Sequence, residues 1–187
     1  KICKLNKIMT TATKNLENDH VHILQLIRVM ERIIGSENPD ITHIESIADL
    51  IRNFADGLHH AKEENQFFPF LENRGFSISQ GPVAVMLMEH VRGRDFVKGI
   101  AENISLYKGG NLSALGKIYS NMAGYAELLQ NHIGKENNIL FRMADRALSE
   151  EDHQLLLKQF EEAEKTHVSG SSSAEYIKRI QQLESKY

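Results

Sequence analysis

The run His59-His-Ala-Lys-Glu-Glu-Asn-Gln-Phe-Phe68 decides the fold, because its pattern returns at His132-Ile-Gly-Lys-Glu-Asn-Asn-Ile-Leu-Phe141. Both runs carry histidine, lysine, glutamate, asparagine and phenylalanine at the same offsets. In each run a glutamate follows the histidine by four residues, which places both side chains on one face of an α-helix, one turn apart. The repeat therefore predicts two helices with equivalent His and Glu side chains, as expected for a pseudo-twofold metal site.

Outward from these runs, apolar residues recur at helical spacing in segments separated by Gly- and Pro-containing breaks. The four stripes comprise Leu16, Ile23, Ile27, Met30 and Ile34; Ile44, Ala48, Ile51, Ala55 and Phe70; Val83, Met86, Val97, Ala101 and Ile104; and Ile118, Met122, Leu129, Ile139, Met143 and Ala147. Four amphipathic helices with short connections predict an all-α fold, an up-down-up-down four-helix bundle.

One or two additional C-terminal helices are expected after the fourth stripe. Ser149, followed by Asp152, is nearly a capping box and marks the start of a fifth helix. A flexible linker over Ser169–Ser173 then precedes a last short helix. We expect residues 1–148 to form the bundle and residues 149–187 to form a C-terminal helical extension.

Composition argues against several classes of partner. The chain has 187 residues, which suits one domain, and a formal net charge of −3. Nucleic acid is a poor partner for that charge, because phosphate binding needs a concentrated positive field. No apolar run is long enough for a membrane span, the first ten residues lack a signal-peptide core, and the lone Cys3 fits a reducing compartment. We therefore expect a cytoplasmic protein.

The gaps in the four stripes are filled by histidine, and two helices add a glutamate one turn later. The six residues are His20, His59, Glu63, His90, His132 and Glu136. All six lie at similar depth, roughly 10 to 22 Å from one end of the bundle at 1.5 Å per residue. A glutamate on a core face is costly unless it is paired or coordinates a metal. These six side chains are therefore predicted to converge on a metal.

A neighbouring pair, His60 and Glu64, has the same spacing but lies about 100° around the helix, on the face of Asp49, Asn53 and Asp56. We expect this pair to face solvent or at most to support the ligands from outside. The remaining histidines are expected at the surface: His22, His43, His153 and His167.

The donor set favours two metal ions over one. Imidazole and carboxylate together suit iron, and also zinc or manganese. Six convergent ligands exceed the four of a structural zinc site. If both glutamates bridge two ions, nitrogen and oxygen donors fill about eight of twelve octahedral positions, and an oxo or hydroxo bridge fills two more. About one open position per metal would then accept a small exogenous ligand.

The chain resembles the hemerythrin-like, HHE cation-binding domains, over about residues 10 to 148. The motifs that carry the resemblance are Asn18-Asp19-His20, His59-His-Ala-Lys-Glu63-Glu-Asn-Gln-Phe-Phe-Pro69, Met88-Glu89-His90 and Asn131-His132-Ile-Gly-Lys-Glu136-Asn-Asn-Ile-Leu-Phe141. The resemblance implies a four-helix bundle with a non-haem di-iron centre and two bridging carboxylates. By the same resemblance the iron ligands are His20, His59, Glu63, His90, His132 and Glu136.

One position departs from the oxygen-carrying hemerythrins, which place a second histidine one turn after the first on helix three. Arg94 occupies that position here, so the implied set has four histidines and simple oxygen carriage is disfavoured. The chain looks more like the branch of the family implicated in repair of iron–sulfur centres and in nitric-oxide chemistry. That branch typically adds an N-terminal domain with a cysteine, for which Cys3 is a poor substitute. Arg94 either reaches out to solvent or orients an anionic ligand.

The first functional hypothesis is a di-iron protein that binds or reacts with dioxygen, nitric oxide or peroxide, in a stress response or iron-centre repair. Tyr125 lies on the face of His132 and is either a core tyrosine with a paired hydroxyl or a proton donor near the open position. A dry apolar pocket would be lined by residues such as Ile23, Ile27, Met86 and Ile139. The sequence leaves open whether turnover follows binding.

Two alternatives come from other classes of protein. The site could store or donate iron, or act as a redox or oxygen sensor without turnover. A helical interaction module without metal would leave Glu63 and Glu136 facing a core with no partner. A ferritin-like or oxygenase site is disfavoured, because it uses paired Glu-x-x-His motifs, and only Glu17-x-x-His20 fits by letter.

Overall fold

A computed structural model describes residues 10–36, 39–167 and 170–187, and this part of the chain is helical, without strands. Cys3 and Ser169 lie outside the described residues, as do Glu37 and Asn38 in the first predicted break. Among the described helices, none combines the length and the apolar character needed to cross a membrane. The predicted all-α class is confirmed.

Among the described residues, π-helical segments, in which the hydrogen bonds run from residue i to i+5, interrupt two of the long helical stretches. In chain order the described elements are α1 (Ala12–Ile34), α2 (Ile41–Leu50), π1 (Ile51–His60), π2 (Glu63–Phe67), α3 (Phe68–Glu72), α4 (Gly81–Lys108), α5 (Ala114–Lys135), π3 (Glu136–Leu140), α6 (Phe141–Ala147), α7 (Glu150–Lys165) and α8 (Ser173–Glu184). The described residues thus form four long helical elements before α7. The first is α1 and the third is α4. The second, called here the second rod, covers residues 41–72, and the fourth, called the fourth rod, covers residues 114–147.

Side-chain caps fix the starts of several helices. Thr11 accepts a hydrogen bond from the Lys14 amide, at 3.1 Å, and begins α1. The predicted capping box is confirmed, since Ser149 and Asp152 cap α7 reciprocally. Ser172, inside the predicted linker, caps α8 in the same way. Such caps satisfy amide groups that have no partner within the helix.

A layer of histidine and glutamate lies between two clusters of buried apolar side chains, called here the α7 cluster and the α8 cluster. On α1, Leu16 belongs to the α7 cluster, His20 to the polar layer and Ile23 to the α8 cluster. The same order recurs on the other three long elements, and the members are Phe67, His59 and Leu58 on the second rod, Met86, His90 and Val97 on α4, and Leu140, His132 and Leu129 on the fourth rod.

The C-terminal helices complete the two clusters. Leu156 and Phe160 of α7 are buried in the α7 cluster, while Tyr176 and Ile180 of α8 are buried in the α8 cluster. His153 of α7, expected at the surface, is buried, and its Nδ1 accepts a hydrogen bond from the Ala12 amide at 3.3 Å. That expectation was wrong because α7 packs its first two turns against the start of α1.

The π segments shift the apolar pattern by one residue. In the fourth rod the sequence predicted Ile139 and Met143 on the core face, but both are exposed, and Leu140 and Ala144 are buried instead. The extra residue in each π turn moves every later residue around the axis relative to an uninterrupted α-helix. Ile139 therefore does not line a buried pocket. In the second rod, Phe67 and Phe68 are buried, and the predicted Phe70 is half-buried against the α7 cluster.

Candidate metal centre

The six predicted ligands converge in the polar layer, and all six are buried. Two sets of donor atoms each lie within 4.8 Å of one another, close enough to hold a metal ion. We call them the His20 group and the His90 group, and Glu63 belongs to both. The His20 group contains His20, His59, Glu63 and Glu136, and the His90 group contains His60, Glu63, His90 and His132.

Each glutamate lies between imidazoles of the two groups. Glu136 Oε2 is 3.2 Å from His20 Nε2 and 3.3 Å from His132 Nε2. In the same manner, Glu63 Oε1 is 3.6 Å from His59 Nε2, and Glu63 Oε2 is 3.4 Å from His90 Nε2. Both carboxylates therefore span the two groups.

Outer hydrogen bonds orient five imidazoles in the same sense. In each ring Nδ1 faces an oxygen acceptor, so Nδ1 carries a proton and donates, which leaves Nε2 as the nitrogen that can bind a metal. Metal-ligating histidines are typically held in this way. The pairs are His20 with Asn137 Oδ1 (2.7 Å), His59 with Asp19 Oδ2 (3.4 Å), His60 with Asp56 Oδ1 (3.3 Å), His90 with Glu64 Oε1 (2.7 Å) and His132 with Glu89 Oε2 (3.0 Å).

His60 contradicts the expectation that it faces outward. Only 3% of its surface is exposed, and its ring stacks on that of His90 with 3.8 Å between centroids. The π1 segment ends at His60, so that both His59 and His60 face the polar layer. Glu64 does follow the expectation, since it supports a ligand from outside. The sequence held a signal for His60 in Asp56, the carboxylate four residues earlier that holds its Nδ1.

Charge in the layer is balanced between imidazole and carboxylate. Burial opposes ionisation of Glu136, but the positive charges of His132 and His20, whose Nε2 atoms lie 3.3 and 3.2 Å from Glu136 Oε2, hold the pKa of Glu136 well below its usual value. Burial likewise opposes the charged form of His132, but Glu136 and Glu89 raise the pKa of His132 to about 10. The carboxylates thus hold protons on these imidazoles, and a metal ion would take the place of those protons.

The donor set fits a metal. Among the described residues, no hydrogen bond reaches the four carboxylate oxygens of Glu63 and Glu136, or Nε2 of His60, although all are buried. Buried polar groups are nearly always satisfied, and a cation bound between the two groups would satisfy all five atoms.

A cavity of about 280 Å³ lies beside the His90 group and is lined in part by His60, Tyr125 and Arg94. The Tyr125 hydroxyl is buried and has no hydrogen-bond partner among the described residues, so it is not the paired core hydroxyl of one interpretation. Burial raises the pKa of Tyr125, which therefore stays protonated. Arg94 donates to Asp56 and to Glu64, at 2.9 and 2.8 Å, so its charge is held by two carboxylates beside the cavity.

A network on the opposite side links the layer to α7. Lys62 is 1% exposed, and its Nζ lies 3.1 Å from Asp19 Oδ2 and 2.5 Å from Glu164 Oε1. Asp19 in turn holds His59. Burial disfavours both charges of the Asp19–Lys62 pair. The hydrogen bond from His59 and the charge of Lys62 nevertheless lower the pKa of Asp19. The charge of Asp19, together with Glu164, raises the pKa of Lys62.

Comparison with known proteins identifies the class. The model of the hemerythrin HHE cation-binding domain matches residues 11–144, and the chain belongs to this family. Family membership implies that the protein binds a metal cation, for which the two groups provide the donors.

Individual relatives are distant. Uncharacterized proteins of Mycobacterium tuberculosis and Mycobacterium bovis are each 19% identical over 95% of this chain and 71% of their own. A probable iron-sulfur cluster repair protein of Haemophilus influenzae is 30% identical over 64% of this chain and 54% of its own, so the match spans about half of that relative. No solved structure matches the chain.

Proposed function

We propose that the protein is a non-haem di-iron protein whose ligands include His20, His59, Glu63, His90, His132 and Glu136. The observation that carries this proposal is that each glutamate lies within 3.6 Å of one imidazole from each group. A carboxylate in that position suits a bridge between two ions. Iron is favoured among the metals that suit imidazole and carboxylate, because the Haemophilus influenzae relative is described as a probable iron-sulfur cluster repair protein.

We further propose the up-down-up-down bundle for residues 1–148, with residues 149–187 as an extension. The order of the clusters supports it. The chain passes from the α7 cluster to the α8 cluster along α1 and α4, and in the opposite direction along the second and fourth rods. This order brings one histidine-bearing segment from each long element to the same depth.

The proposed activity is binding of, or reaction with, a small ligand such as dioxygen, nitric oxide or peroxide. The iron pair would supply the redox chemistry when bound. The chain's own residues hold Nε2 of each imidazole inward, keep the carboxylate of Glu136 ionised and exclude water with the two apolar clusters. Tyr125 could supply a proton, since its protonated hydroxyl faces no competing acceptor among the described residues. Storage or donation of iron is the second candidate, and full burial of the ligands weighs against rapid release.

Metal analysis of anaerobically purified protein tests the proposal. We expect two irons per chain, and an absorption band from an oxo-bridged ferric pair after exposure to air. His132→Ala should lose at least one iron, because it removes a ligand beside Glu136. His22→Ala is the matched control, since His22 lies on α1 outside both groups and binds Gln25 at 2.8 Å. Retention of two irons by His132→Ala would contradict the ligand set, and zinc or no metal in the wild type would refute the di-iron proposal.

A further inference from the structure

The cavity of about 280 Å³ beside the polar layer lies between the second rod and α4. None of the six candidate ligands of the di-iron proposal lines it, so it is a separate feature of the molecule. Its walls are mostly apolar and include Ile51, Gly93, Val97, Ala101 and Tyr125. An apolar cavity of about 150 Å³ can hold benzene, so this cavity has room for a larger apolar body.

Gly93 keeps part of this space open in the middle of α4. Glycine inside a helix destabilises it relative to alanine, so a buried glycine there needs a reason. A Cβ at position 93 would come no closer than 3.7 Å to Tyr125 Cε2 and 3.9 Å to Leu128 Cδ2, which are ordinary van der Waals distances. Close packing therefore does not require glycine at this position, and what Gly93 provides is the open space that it lines.

The second rod and α4 run in opposite directions on either side of the cavity. The rings of His60 and His90 stack with 3.8 Å between their centroids. One turn away, four residues earlier on the rod and four residues later on α4, Asp56 accepts a hydrogen bond from Arg94 at 2.9 Å. Each further turn toward the start of the rod therefore faces a turn toward the end of α4.

The next turn in this register brings two cations to the end of the cavity farther from the polar layer. They are Arg52 and Lys98, and both are exposed and line the cavity. Arg52 has no ion-pair partner among the described residues. Lys98 Nζ lies 3.9 Å from Glu102 Oε1, in a pair that is mostly exposed and therefore weak. The other carboxylate of the lining, Asp56, is held by Arg94, so this end of the cavity keeps an excess of positive charge.

We propose that the cavity is a binding site for a small carboxylate with an apolar body. The carboxylate binds between Arg52 and Lys98, and the apolar body extends along Val97 toward Gly93 and Tyr125. Burial of the apolar body supplies the affinity, while the few charged groups at one end fix the orientation and give the selectivity. The site needs no iron, because its lining is distinct from the six candidate ligands.

A neutral or a cationic amphiphile is the alternative occupant, and three probes with the same eight-carbon chain separate the alternatives. Octanoate, octanol and octylammonium are titrated into the purified full chain by isothermal titration calorimetry. We expect one octanoate per chain, bound at least about fivefold more tightly than octanol at low ionic strength, because only the carboxylate is attracted by the two cations. Added salt should reduce that difference by screening the charges, and octylammonium should bind most weakly.

Two variants test the location of the site, and each has a matched control. Ala101→Phe places a ring in the cavity and should weaken octanoate binding at least about tenfold, because the apolar body loses its space. Arg52→Gln should weaken octanoate binding about fivefold and leave octanol binding unchanged. Ala123→Phe and Arg32→Gln change exposed residues that do not line the cavity, so both should bind octanoate as the wild type does.

The outcomes keep this inference separate from the di-iron proposal. Equal affinity for octanoate and octanol, or tighter binding of octylammonium, would overturn the carboxylate assignment. Unchanged octanoate binding in Ala101→Phe, or no saturable binding to the wild type, would overturn the site itself. A chain that holds no iron and still binds octanoate in this manner would refute the proposed function and support the carboxylate site. Circular dichroism confirms that each variant is folded.

Discussion

Asp19 connects the candidate metal centre to α7 through Lys62, and replacing it with asparagine should weaken both stability and metal binding. The substitution keeps the shape of the side chain and removes its charge. Asp19 Oδ2 accepts from Lys62 Nζ at 3.1 Å and from His59 Nδ1 at 3.4 Å. The substitution should therefore lower the free energy of unfolding, because it weakens the contact with Lys62. It should also lower metal affinity, because it weakens the contact that orients His59.

The stability loss can be estimated from the surroundings of Lys62. Breaking a buried ion pair costs about 3 to 5 kcal/mol when the remaining charge has no other partner. Lys62 keeps Glu164, at 2.5 Å, so we expect the smaller loss of about 2 kcal/mol that is typical of one hydrogen bond to a charged group. Because the pKa of Asp19 is lowered in the folded protein, this stabilisation is present at neutral pH and is lost as the pH falls through that pKa.

Urea unfolding of the metal-free protein measures the stability loss as a change in midpoint at constant slope. The matched background is Lys62→Met, in which Asp19 no longer has a buried cation to pair with. There we expect Asp19→Asn to cost less than about 1 kcal/mol. Metal affinity should still fall about 10- to 100-fold in that background, because this loss acts through His59. Equal destabilisation in both backgrounds, or unchanged affinity in either, would refute the reasoning.

Three further predictions concern other parts of the molecule. Glu136→Gln should lose at least one iron and should also destabilise the metal-free protein by about 2 kcal/mol or more, since removing one partner of a buried ion pair leaves His132 without that counterion; metal analysis and urea unfolding of the same sample check both. Phe160→Ala should destabilise by about 3 to 5 kcal/mol by opening a space in the α7 cluster, whereas Leu155→Ala, on the exposed side of α7, should change stability by less than about 0.5 kcal/mol. Ser149→Ala should cost about 1 kcal/mol through loss of the α7 cap, and a loss above about 3 kcal/mol in thermal or urea unfolding would show that Ser149 does more than cap.

The helical class and the convergence of the six candidate ligand residues could be predicted because both depend on local periodicity. A histidine and a glutamate four residues apart share a helix face whatever the tertiary structure, and His20 and His90 continue apolar stripes. Those two observations were sufficient to predict that the six side chains lie at one depth in the bundle.

Most of the errors have a common cause in the π segments. The positions of His60, Ile139 and Met143 were each derived from an uninterrupted α-helical repeat. A π turn holds one extra residue and is stabilised by its tertiary surroundings, so no local pattern in the sequence announces it. His153 was missed for a different reason: its burial depends on where α7 docks, which periodicity alone does not determine.

The division of the apolar core into two clusters has a consequence for the life of the protein in a cell. Iron bound between the clusters would be held by side chains from all four long elements and would stabilise their packing. A ligand at 100 times its dissociation constant adds about 2.7 kcal/mol to the stability of the folded state. Protein made during iron shortage would lack that stabilisation, would unfold more often and would be degraded faster by proteases. Abundance of the chain would then follow iron supply without any dedicated regulator, because the unloaded form is removed first.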